Sequence, residues 1–142
     1  NVNVDVPHYY IPFSMIHELA HYKGFMREDE ANFIAYLGCR EANDPAFAYS
    51  GSLLALIHSG NALYSVDPEL YFDLSAQLSE DIRRDFAISS AYWQQFEGPV
   101  AEIAGKMNDS YLKANRQVEG VQSYGRMVDL LLADYRAHHQ AE

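Results

Sequence analysis

Along most of this chain, apolar residues recur every three or four positions, the spacing that gives a helix one buried face. Ser14 to Lys23 follows it, with Ser14 placed as N-cap and Gly24 just past the last turn. A second helix is expected from near Met26 to Cys39. One of its faces carries Glu28, Ala31, Ala35 and Gly38; another carries Phe33, Ile34 and Leu37 and reads as core. Asp44-Pro45 and Asp67-Pro68 each pair a capping side chain with a proline at the first helical position. They predict helices to about Tyr64, with a core stripe of Phe47, Leu53, Leu54 and Ile57, and to about Ala76. A break near Ser79 precedes a helix from Glu80 to Phe96, in which Tyr92, Trp93 and Phe96 read as core. Gly98-Pro99 opens another helix to Asn115, Glu119-Gly120 closes a loop, and Ser123 caps a last helix carrying Met127, Leu130, Leu131 and Tyr135. His138 and His139 read as exposed tail. Only Asn1 to Val6 alternates polar residues with Val, a weak strand signal that marks either a substrate-binding edge or a disordered cut end. The expected fold is one mostly α-helical domain over 1–142, with about six helices and at most a minor β element near the N-terminus.

Composition narrows the partners. At 142 residues and 49% hydrophobic positions the chain can bury a core. A net charge of −10 argues against nucleic acid and against adsorption to anionic lipid. No stretch reaches the 18 or so apolar residues that cross a bilayer. The lone Cys39 excludes an internal disulfide framework and reads as a small buried hydrophobe.

The candidate chemistry lies in His17-Glu18-Leu19-Ala20-His21. Histidines four apart on a helix stand one above the other, so their ring nitrogens can converge on one ion. Glu18 is rotated off that line and is placed to take a proton from a water rather than to bind metal. Three protein ligands with an open water position make a catalytic zinc centre. Zinc brings the pKa of such a water from about 15.7 to about 7, which gives Glu18 a general-base role at neutral pH.

A third ligand must come from elsewhere. Gly24 fits the metzincin pattern, but Arg27 stands where its third histidine would be and cannot bind zinc. That leaves a carboxylate on the second helix. Glu28 and Glu30 are roughly 200° apart around it, so only one can face the metal. Glu28, whose face has small residues that allow close helix approach, is preferred; Glu30 is the alternative. His58, beside the core stripe of the third helix, is either a transition-state donor or a satisfied core histidine.

His17-Glu18-x-x-His21 followed by Glu28-x-x-Ala31-Asn32 resembles the gluzincin peptidases, the thermolysin-like clan. The resemblance implies Glu28 as zinc ligand and Asn32 as the residue that orients a zinc-binding histidine, although the clan usually has Asp there. Longer stretches, from His17 to Phe25, Glu28 to Leu37, Tyr92-Trp93, Glu97 to Val100, Asn108 to Asn115 and Gly120 to Leu132, are similar to a bacterial family of membrane-anchored, zinc-metallopeptidase-like proteins of unknown function. In that family transmembrane helices precede the zinc domain. The resemblance therefore implies that this chain is part of a longer protein, joined to a membrane only through an N-terminal anchor. Three preceding spans would put the domain outside the cytoplasm if the N-terminus is inside.

That resemblance also covers the polar cluster from Asn108 to Arg126. Tyr124 and Arg126 are candidate donors to the oxyanion of the reaction, or else parts of a polar clasp between helices. The expected activity is zinc-dependent hydrolysis of peptide bonds in a peptide or protein substrate. The alternatives are a zinc-binding sensor or interaction domain derived from a peptidase, and a hydrolase of non-peptide substrates. The sequence leaves the oligomeric state and cleavage preference open.

Overall fold

Helix α1 begins five residues earlier than a cap at Ser14 predicts, at Tyr10, and ends at Tyr22. Pro12 does not prevent this, because the amides of a helix's first turn have no intrahelical partner to lose. Ser14 is therefore an interior residue rather than the cap. The computed structural model describes residues 1–96 and 126–139. After α1 come α2 (Glu28–Glu41), α3 (Pro45–Val66), α4 (Pro68–Ser75), α5 (Glu80–Gln94) and α6 (Arg126–His139). There is no strand among the described residues, and Asn1 to Val6 is irregular. The expected helix from Gly98 to Asn115, the loop at Glu119-Gly120, the Ser123 cap and Tyr124 lie outside the described residues.

The caps form where local chemistry dictates. Asp44 accepts from the Ala46 amide at 2.8 Å, Asp67 from Leu70 at 3.0 Å and Ser79 from Ile82 at 3.4 Å. Each satisfies an amide that the helix start leaves open.

The core sits where α1, α2, α3 and α6 meet, around Phe13, Ala35, Cys39, Leu54 and Met127. The face of α2 that is fully buried carries Ala31, Asn32, Ala35 and Cys39, whereas Phe33, Ile34 and Leu37 are half-buried. Small residues are inside because α2 is pressed between α1 and α3. At Gly51 of α3 an added Cβ would stand 2.5 Å from Cys39 Cβ. The neighbour is a backbone-anchored carbon that cannot swing aside. Gly51→Ala should therefore destabilise the fold by about 1–3 kcal/mol, the usual cost of overpacking, outweighing the roughly 1 kcal/mol of helix propensity that alanine gains. Urea unfolding of the two proteins measures the difference. Burial raises the Cys39 thiol to about 11, which makes it inert.

Helix α5 departs from expectation. Trp93 and Phe96 are 48% and 52% exposed, and Tyr92 is half-buried. These rings pack edge-on against one another instead of entering the core. Polar contacts fasten the helix to the body: Tyr49 donates to Asp85, Tyr92 donates to the Asp5 carbonyl, and the Tyr10 and Ser89 hydroxyls lie 3.2 Å apart. At the other end of the chain, Arg40 of α2 binds Asp134 of α6 at 2.7 Å.

Candidate metal centre

The turn after α1 does two jobs. Gly24 has φ +100°, a conformation that side chains disfavour, and lets the chain double back. The Gly24 amide donates to the His21 carbonyl at 3.0 Å and the Phe25 amide to the Ala20 carbonyl at 3.1 Å, the paired bonds of a Schellman ending. This brings the Phe25 carbonyl 2.7 Å from His21 Nδ1. A proton held there on Nδ1 leaves the Nε2 lone pair free, as metal-binding histidines require.

Arg27 closes the turn. Its guanidinium donates twice to Asp29, at 3.1 and 2.8 Å, and lies 3.6 Å from Glu30. Asp29 is only 4% exposed, so this is a buried fork on a carboxylate. With Asp29 and Glu30 turned to Arg27, Glu28 is the first-turn acid left to face α1. The residue that breaks the metzincin pattern thus fixes the start of α2.

Glu28 stands between the two imidazoles. Its Oε2 is 3.4 Å from His17 Nε2 and its Oε1 is 3.3 Å from His21 Nε2. One ligand atom from each of the three residues falls within 4.8 Å of the others. A charge-assisted hydrogen bond would be shorter, about 2.7–2.9 Å. Ligands at about 2.0–2.1 Å around a tetrahedral ion are separated by roughly 3.3 Å. The donor set and its spacing could therefore hold a metal ion. The His17 ring beside it holds the Glu28 carboxyl below its ordinary value, against the opposing effect of burial. Glu28 is thus a carboxylate at neutral pH. Glu30 is 47% exposed and points elsewhere.

Glu18 keeps 43% of its side chain exposed beside this group.

The surroundings depart from the resemblance. Asn32 is buried one turn after Glu28 but bonds neither imidazole; the Phe25 carbonyl orients His21, and His17 Nδ1 is buried without a hydrogen-bond partner. Sequence reasoning missed Phe25 because a backbone carbonyl carries no residue signature. The only trace was Gly24, which fixes the turn. Arg126 is exposed at the start of α6, next to buried Met127.

His58 is half-buried on α3, within electrostatic reach of His17. Burial lowers its pKa from the ordinary 6.5, and His17 lowers it further. The unfolded chain therefore takes up this proton more readily than the fold does. The resulting stability is complete above about pH 6.5 and is lost as pH falls through the depressed value. Metal-free protein should lose stability over this window, and His58→Gln should flatten the loss; thermal melts from pH 8 to pH 5 read both.

A family model matches residues 1–132, a span that includes α1 to α5, the metal centre and the first half of α6. The chain belongs to the family described as Protein of unknown function (DUF3810). No curated protein and no solved structure matches it. The DUF3810 description names no activity.

Proposed function

We propose that this domain is a zinc-dependent metallopeptidase. The observation that supports it is the meeting of His17, His21 and Glu28 from two helices, with Glu18 exposed beside them. His17, His21 and Glu28 would hold the zinc, which would supply a Lewis acid that lowers the pKa of a water to near neutral. Glu18 accepts that proton and returns it to the amine that leaves. Tyr124 and Arg126 are proposed donors to the negative charge that develops on the substrate's carbonyl oxygen. No helix among the described residues is long and apolar enough to cross a membrane. The proposed location, outside a bacterial cytoplasm and tethered by an N-terminal anchor, rests on the resemblance of the sequence to membrane-anchored proteins.

A zinc-bearing sensor with little turnover is the second reading. It is favoured by one feature: neither imidazole is oriented by a carboxylate, so the ligands are less basic than such a partner would make them. Incubation of the purified chain with a peptide library, with and without chelator, decides between the two. The peptidase gives zinc at one ion per chain and chelator-sensitive cleavage. Bound zinc with no cleaved peptide would leave the sensor standing.

A further inference from the structure

A cavity of about 620 Å³ opens between α1, α3, α4 and α5. Among the described residues its walls include Tyr10, Ile57, Leu63, Leu74, Phe86 and Trp93, and no lining residue is charged. The volume is within the range of roughly 300–1,000 Å³ typical of ligand pockets. In a chain of net charge −10, an uncharged wall selects an uncharged occupant. Leu74 and Trp93 are each 48% exposed at this cavity, apolar surface that an occupant would remove from water.

Of the residues of α1, Tyr10 lines the cavity. Tyr10 is seven residues before His17, so the two lie within about 20° on the helix and about 10 Å apart along it. An extended polypeptide advances about 3.3 Å per residue. A chain held at the metal centre thus reaches the cavity about three residues away.

Polar groups decide what kind of chain it is. Ser59, Asn61, Ser75 and Ser90 are set among the apolar residues of the lining. A hydrocarbon tail would strip water from these groups and offer nothing in return. Backbone amides would bond them while their side chains fill the apolar part.

We propose that this cavity binds a short hydrophobic stretch of the substrate polypeptide, about three residues from the bond presented to His17, His21 and Glu28. The proposal rests on the peptidase reading, so its test is read by binding, without turnover. The full chain carrying Glu18→Gln and loaded with zinc is titrated into a fluorescein-labelled decapeptide containing Leu-Phe-Leu, and into its counterpart containing Ser-Asn-Ser. Anisotropy should show at least tenfold tighter binding of the first. Ser59→Trp and Ser90→Trp, which fill the cavity from α3 and from α5, should each remove that preference while zinc content and melting temperature hold. Equal binding of the two peptides, or an undiminished preference in both folded variants, overturns the proposal. So does displacement of the peptide by decanoate at concentrations where N-acetyl-Leu-Phe-amide has no effect, which would assign the cavity to acyl chains. With active protein, product mapping should place the cut about three residues from the Leu-Phe-Leu stretch, and cuts at unrelated distances overturn the register. Cavity-dependent binding without any cleavage by unaltered protein would refute the peptidase reading and keep the cavity as a peptide site.

Discussion

Glu18→Gln should keep one zinc per chain and lower peptide hydrolysis by about 10²–10⁴-fold, the contribution of a positioned general base. Glutamine matches glutamate in size but cannot take a proton, so the change isolates that single function. Folding should be unaffected, because the side chain is 43% exposed and outside the core. Metal binding should be unaffected, because Glu18 is not among the three residues whose ligand atoms converge. The measurements are metal content by mass spectrometry and initial rates on a peptide found by library screening. Undiminished turnover in a variant that retains zinc would refute the assigned role. Loss of zinc would mean that Glu18 is a ligand.

The second large effect separates two neighbouring acids. Glu28→Ala should weaken zinc binding by more than about 100-fold, since even partners behind the ligands are commonly worth about 10–100-fold. Glu30→Ala should leave the affinity within about threefold, because its carboxylate is turned to Arg27 and largely solvated. Competition with a chromogenic chelator reads both constants. The contrast matters because the acids sit two residues apart in the same helical turn and carry the same charge. A general effect of negative charge would weaken both variants alike; only the geometry described above makes them differ. Equal losses would discard the assignment of Glu28.

The local features of the fold were legible because their causes are local. The caps at Asp44 and Asp67 each bond an amide two or three residues away. Gly24 ends α1 because no other residue takes its φ without strain. The placement of Ser14 as a cap failed for a related reason: proline at the third position of a helix looks like a stop but costs nothing there. Burial was harder to read. Phe33, Ile34 and Leu37 outweigh Ala31, Ala35 and Cys39 in hydrophobicity, yet the smaller residues are the buried ones, because the helices approach most closely on that side. Trp93 and Phe96 are large and apolar but sit at the surface, Trp93 at a cavity rather than in a core.

By itself, then, the sequence determined a helical chain and put two imidazoles and a free carboxylate on adjacent faces of one helix, because a helix relates residues four apart whatever surrounds it. It narrowed the third ligand to Glu28 or Glu30 and favoured the first. The tertiary structure decided the rest. Arg27 draws Asp29 and Glu30 to one side, the turn at Gly24 returns Glu28 to the histidines, and the Phe25 carbonyl meets His21 only once that turn is made. Periodicity states which residues share a face. Which neighbour meets that face depends on how the helices pack, and the spacing of residues along the chain does not record it.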